Sequence, residues 1–128
     1  MMRDQKLWTW HVLAGAVILV FLGLHMTTMH LETVLPLKSL NPAVGKAPID
    51  WQNVVARGKS TLQLVSYVVL LGAALFHGLY GLRNILFELD PAAWLRRTLG
   101  VLILLVGLGL FVFGAWAAFA SFSLARPL

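Results

Sequence analysis

The chain contains no cysteine and few charged residues. None of its 128 residues is cysteine, only 12% are charged, and 59% are hydrophobic. The absence of cysteine excludes disulfide bonds and leaves this chain without thiolate ligands for a metal or an iron–sulfur cluster. So small a charged fraction excludes an ordinary soluble domain. Any metal would therefore have to be held by histidine, or by carboxylates in the loops.

Acidic residues are scarce as well. The chain has five Asp and Glu residues and ten Lys and Arg residues, which gives a net charge of +5. Most of the basic residues lie beside apolar segments, where they suit lipid phosphate, so we predict membrane lipid as a partner and no nucleic acid. The Lys and Arg count is equal on the two sides of the predicted spans, so the charge rule gives no orientation.

Three uncharged segments are long enough to cross about 30 Å of hydrocarbon. The predicted spans cover about 7–29, 61–86 and 98–122, and a long connection at 31–60 joins the first two. We predict an all-α integral membrane protein with three transmembrane helices. It would form a single membrane-anchor domain, 1–128, in a multi-subunit helical bundle, with the first span retained rather than cleaved as a signal peptide.

The long connection contains one helix signal. Asp50 precedes the sequence WQNVV, and an Asp at this position is a common N-cap. We predict a short helix here that lies flat on the membrane, and a plain packed loop is an equal alternative.

One histidine falls in the middle of the second predicted span. His77 is costly in hydrocarbon unless something satisfies it, so an ionisable residue there indicates a functional site. We expect His77 to ligate a haem iron, with Gly78 and Gly81 keeping the helix surface thin enough for a flat macrocycle. The alternative is a histidine hydrogen-bonded to a neighbouring helix.

The first span carries histidines at different depths. His11 and Gly15 are four residues apart and share a helix face. At about 1.5 Å per residue, His77 lies about 14 Å below the near membrane surface, His11 about 5 Å and His25 about 26 Å. Neither is level with His77, so we expect the second axial ligand to come from another polypeptide or another copy of this one.

Two stretches resemble a known family. FHGLYGLRNILFELD, with His77, Gly81-Leu82-Arg83 and Glu88, resembles the second helix of the cytochrome b anchor subunits of succinate dehydrogenase and fumarate reductase. His11-Val-Leu-Ala-Gly15 resembles the start of that family's first helix. The resemblance covers nearly everything except the long connection. It implies haem b on His77, a quinone site, and a second membrane-anchor subunit that supplies the other haem ligand. It also implies docking of a flavoprotein and an iron–sulfur subunit.

The resemblance also implies secondary roles and a location. Arg83 or His11 would contact the haem propionates, because cationic donors suit carboxylates. Where the single-haem anchors place an arginine and a serine near the quinone, this chain has Val12 and Trp8, so those two roles do not carry over, and Trp8, His11 and Arg83 are the nearest substitutes near the quinone. His25 is ten residues after Gly15, whereas the two-haem members place a haem ligand eleven residues after the equivalent glycine, so a second haem at His25 is a minority alternative. The location would be the inner (cell) membrane of a prokaryote.

Two other functions stay open. One is a cofactor-free structural or assembly subunit, in which His77 joins helices. The other is a haem b subunit of a different respiratory complex, such as a hydrogenase or formate dehydrogenase anchor. Those anchors usually carry paired histidines within their own helices, which the depth estimate disfavours here. In every case we expect a subunit without catalytic residues of its own.

Overall fold

The computed structural model describes residues 2–30 and 50–126. Four helices and no strand occur within these residues, which confirms the predicted all-α class. Residues 31–49 of the long connection predicted at 31–60 lie outside the described part of the chain. The helices are α1 (Met2–His30), α2 (Trp51–Gly58), α3 (Thr61–Glu88) and α4 (Ala93–Leu124).

Three of these helices are long and apolar enough to cross a membrane. The qualifying segments are Gln5–Thr27 in α1 and the whole of α3 and α4. Their apolar side chains point outward as well as inward, as the exposed Leu19 and Val112 show. A helix that is hydrophobic all round suits lipid rather than water. The prediction of three transmembrane helices is therefore confirmed.

Local sequence accounts for the bounds of α3. The helix begins after Ser60, whose hydroxyl oxygen accepts a hydrogen bond from the Gln63 backbone N–H at 3.4 Å. It ends before Asp90, which has a positive φ of 47°. Asp tolerates this left-handed conformation better than most residues. Pro91 follows and cannot continue the helix. The connection is short, so α4 returns antiparallel beside α3.

The central helix is α3, which packs against α1 and against α4. Leucines of α3 fit over glycines of α4. A Cβ added at Gly107 would come within 2.8 Å of Leu79 Cδ1, and one added at Gly114 within 2.6 Å of Leu71 Cδ2. Small residues let helices approach closely in lipid, where the hydrophobic effect does not drive them together.

The short helix α2 forms where the sequence predicted one. Asp50 occupies the predicted N-cap position, although its side chain makes no capping hydrogen bond. The Asp50 carbonyl accepts from Val54 N at 2.9 Å, which is the first hydrogen bond of the helix. At the far end, Arg126 donates two hydrogen bonds to the Lys59 carbonyl, at 3.1 and 2.8 Å. These bonds join the end of α4 to the α2–α3 junction.

Replacing a packed glycine should cost stability, and replacing an outward-facing one should not. We expect Gly114→Val to lower the free energy of unfolding by about 1–3 kcal/mol, because Leu71 must move aside. Gly109→Val is the matched control, since a Cβ there would meet nothing within 4 Å. Reversible unfolding of both variants in detergent micelles tests this. Equal losses at the two positions would contradict the packing of α4 on α3.

Candidate cofactor site

The same spacing occurs in the two helices that meet at this site. A histidine is followed four residues later by a glycine in α1, as His11 and Gly15, and in α3, as His77 and Gly81. Four residues are about one turn, so the members of each pair share a helix face. A Cβ at Gly15 would lie 3.1 Å from His77 Cε1, and a Cβ at Gly81 would lie 3.5 Å from His11 Cε1. Each glycine therefore makes room for the histidine of the other helix.

The two imidazole rings stack on each other. The centroids of the His11 and His77 rings are 4.0 Å apart, and the ring planes differ by 6°. Tyr80 lies beside this stack, with its ring centroid 5.2 Å from that of His11. Phe76 in turn stacks on Tyr80, with centroids 5.7 Å apart. The stack thus continues along α3 as a row of aromatic rings.

The expectation that His11 is not level with His77 is wrong. The depth estimate counted only the rise along the backbone. Because His11 lies opposite Gly81, its backbone is one helical turn, about 5 Å, from the level of His77. The two side chains span this step across the space that the glycines leave, so the rings reach the same depth.

The stacked arrangement prevents His11 and His77 from binding one haem iron together. Two histidines bound to one haem iron must point ring nitrogens at it from opposite faces of the macrocycle. His11 and His77 present their flat faces to each other at 4.0 Å, which leaves no room for a macrocycle between them. A second axial ligand from another polypeptide therefore stays a prediction, now resting on ring orientation instead of depth.

One hydrogen bond defines the protonation of His77. Its Nδ1 atom lies 3.0 Å from the backbone carbonyl oxygen of His11. A carbonyl oxygen only accepts, so Nδ1 carries the proton and donates it. In a neutral imidazole this places the lone pair on Nε2. Metal-binding histidines commonly have this arrangement, in which the other ring N–H is bound by a carbonyl or carboxylate.

A second ring nitrogen is available for a polar group. His11 Nδ1 is buried and has no hydrogen-bond partner among the described residues. Buried polar atoms nearly always have partners in folded proteins, so such an atom often marks a place where something else binds. Together with the Nε2 lone pair of His77, this nitrogen fits a ligand that combines a metal with polar edge groups, as haem does.

The described part of the chain provides no complete metal site. No group of three or more His, Asp or Glu side chains within it could hold a metal ion. An ion bound by His77 would thus have to bring most of its ligands with it. Iron in a porphyrin meets that requirement, because the macrocycle supplies four nitrogens.

The structure does not bring the other predicted residues to the stack. Arg83 lies on the α4 side of α3, with its guanidinium carbon 4.3 Å from the Phe87 ring centroid. His25 packs edge-on against Tyr67, with centroids 5.6 Å apart. It is fourteen residues beyond His11, or about 21 Å further along α1. The haem roles predicted for Arg83 and His25 stay predictions.

The remaining predicted positions face outward or are filled. Trp8 is 62% exposed on α1. A Cβ at Gly78 would meet nothing within 4 Å, so the surface beside His77 is open there. The space beside Gly81 is occupied by the His11 ring. Gly78 thus offers room for a flat group, and the predicted quinone contact of Trp8 stays a prediction.

The role of Gly15 was missed at the sequence level. The spacing placed Gly15 beside His11 on one helix, but it did not show that Gly15 faces His77 on another. The available signal was the repeated His-x-x-x-Gly pattern in α1 and α3. When two antiparallel helices carry this pattern, each can place its histidine over the glycine of the other.

Comparisons with known protein families, with curated proteins and with solved structures find no match to this chain.

The hydrogen bond predicts one tautomer for His77. In protein with ¹⁵N-labelled histidine, we expect the His77 resonances to show a protonated Nδ1 and an unprotonated Nε2. Gly15→Val should disturb this pattern, because the new side chain would collide with the ring. Gly23→Val, on the same helix and with open space around it, should leave the pattern unchanged. Protonation of His77 at Nε2 in the unaltered protein would contradict the assigned hydrogen bond.

Proposed function

We propose that this chain is a membrane-anchor subunit of a succinate:quinone oxidoreductase, and that it binds one haem b through His77. The observation that carries the proposal is the contact of His77 Nδ1 with the His11 carbonyl oxygen at 3.0 Å. It leaves the Nε2 lone pair for a metal, on a ring held within a membrane-spanning helix. The resemblance of the sequence from His77 to Glu88 to the family's second helix supports the specific complex.

Each residue of the stack has a role in this proposal. His77 would provide the axial Nε2 ligand. The His11 carbonyl would fix the tautomer and orientation of that ring and increase the basicity of the ligand nitrogen. The His11 ring would restrict rotation of His77 through the stack, and its Nδ1 would be available to a propionate. A bound haem b supplies one-electron transfer, with a potential that depends on the axial ligand, its hydrogen bond and burial.

The rest of the proposed complex follows from what this chain lacks. It has no cysteine for iron–sulfur clusters, and His11 and His77 stack instead of facing each other across a ligand. A second anchor subunit would supply the other axial ligand and complete the quinone site near Trp8. A flavoprotein and an iron–sulfur subunit would oxidise succinate, a reaction of the tricarboxylic acid cycle, and pass the electrons to the quinone. This chain would perform no dicarboxylate chemistry, and its membrane would be the prokaryotic cell membrane.

A structural role is the second candidate, because the same contacts also favour it. The stack and the hydrogen bond join α1 to α3 and partly satisfy His77 without a cofactor. In that case the chain would be a scaffold or assembly subunit. The two candidates differ in what the Nε2 atom of His77 binds.

Substitution of His77 separates these candidates. We expect the native complex to contain haem b and His77→Ala to lose it, measured as pyridine haemochrome per mole of chain. His25→Ala is the matched control on another part of the bundle, and it should keep the haem bound at His77. A native complex without haem would contradict the cofactor assignment. Copurification of a flavoprotein and an iron–sulfur protein tests the anchor assignment separately.

The backbone origin of the hydrogen bond gives a sharper prediction. His11→Ala should retain the haem, because the carbonyl that holds His77 belongs to the main chain. Gly15→Val should lose most of it, because the valine side chain would displace the His77 ring. Haem content and the visible spectrum of the two purified variants provide the measurement. Loss of haem in His11→Ala with retention in Gly15→Val would reverse the assigned roles of these residues.

A further inference from the structure

A groove between α3 and α4 adjoins the histidine stack, because Phe76 and Tyr80, which lie beside that stack, also line the groove. It encloses about 430 Å³, within the range of ligand-binding pockets, and Leu7 of α1 closes one part of it. Its wall is apolar from Gly72 and Phe111 as far as Leu104. Arg83 is the one charged residue that lines it. The groove therefore has a long apolar part and a cationic end.

The cationic end continues into a second cavity. This space of about 480 Å³ shares Arg83, Gly100 and Leu104 with the first, so the two form one groove. Arg96 and Arg97 line the added part. Three guanidinium groups thus surround the end of a groove whose remaining wall is hydrocarbon.

These arginines are poorly neutralised by the described part of the chain. The guanidinium carbons of Arg83 and Arg96 lie 4.3 and 5.3 Å from the centroid of the same ring, that of Phe87. The ion pair found among the described residues joins Arg96 to Asp90 at 3.0 Å, and the Asp90 side chain is 94% exposed. An exposed pair contributes little. Glu88, the other nearby acid, is exposed and makes no ion pair with a described residue.

We propose that this groove binds an anionic diacyl phospholipid. The phosphate would lie among Arg83, Arg96 and Arg97, and an acyl chain would run along the apolar wall past Gly100. Arginine donates paired hydrogen bonds to phosphate oxygens, and basic pockets between transmembrane helices near the membrane surface suit anionic headgroups. This inference is independent of the haem proposal, because it uses neither His77 nor His11.

Position and charge favour a lipid over the haem or the quinone of the proposed complex. Neither His77 nor His11 lines the groove, although Phe76 and Tyr80 reach both the groove and the stack. A neutral quinone would not offset three positive charges. An anionic lipid brings a negative phosphate to these arginines, and its acyl chains match the mostly apolar wall of the groove.

Native mass spectrometry of the full chain, with whatever subunits copurify, tests the site. After delipidation, we expect phosphatidylglycerol to bind more tightly than zwitterionic phosphatidylcholine. Arg97→Gln should weaken phosphatidylglycerol about fivefold, since one interfacial arginine contributes about a fivefold factor. Lys59→Gln, which removes one charge at the other end of α3, should leave binding unchanged. Arg83→Gln should weaken binding at least as much as Arg97→Gln.

A second pair of variants tests the apolar part of the groove. Gly100→Leu should reduce phosphatidylglycerol binding by filling the groove, and it should fold because a Cβ there would lie 3.9 Å from Phe87 Cζ. Gly109→Leu, on the same helix with open space around it, is the matched control.

Several outcomes would overturn the proposal. One is equal binding of the two lipids, and another is equal binding by Arg97→Gln and Lys59→Gln. Competition by inorganic phosphate as effective as that by the lipid would show a simple anion site without a role for the groove. A loss of haem in Arg83→Gln with unchanged lipid binding would assign Arg83 to a haem propionate instead.

Discussion

The hydrogen bond from His77 Nδ1 to the His11 carbonyl oxygen, at 3.0 Å, is the polar contact between α1 and α3 on which the candidate site depends. In a bilayer, apolar faces gain little by meeting each other, so polar contacts and close packing select which helix faces meet. Two imidazoles in contact, with one hydrogen-bonded to a backbone carbonyl, define such a face. Gly15 also contributes, because a Cβ there would lie 3.1 Å from His77 Cε1 and the ring would have to shift, whereas a Cβ at Gly81 would lie at an ordinary 3.5 Å from His11 Cε1.

The central helix α3 separates two kinds of chemistry by its faces. Towards α1 it presents the His77 ring, and towards α4 it presents Arg83 and the leucines that fit over glycines. The histidine stack and the arginines therefore lie on different parts of α3, with Phe76 and Tyr80 between them, beside the stack and in the wall of the groove.

The helices were predictable from the sequence, and the geometry of the site was not. About twenty apolar residues are needed to cross the hydrocarbon, so uninterrupted apolar runs identify the spans directly. His77 was identifiable as a candidate site residue, because a histidine within such an apolar run is rare and costly. The depth of the His11 ring relative to His77 was not predictable, because counting residues gives the position of the backbone. An imidazole extends several ångström beyond its backbone. Asp50 similarly marked the start of α2, although its side chain does not cap the helix.

By itself, the sequence determined the number of spans, the placement of a histidine inside one of them and the repeated His-x-x-x-Gly spacing. Helical periodicity also determined which residues share a face. Only the tertiary structure decided which faces meet, that Nδ1 of His77 contacts the His11 carbonyl, and that Arg83 lines a cavity with residues of α4. The physical reason is that nearly every face of these helices is apolar. Hydrophobicity therefore does not choose among the faces, and the choice depends on the detailed fit of rings into glycine gaps.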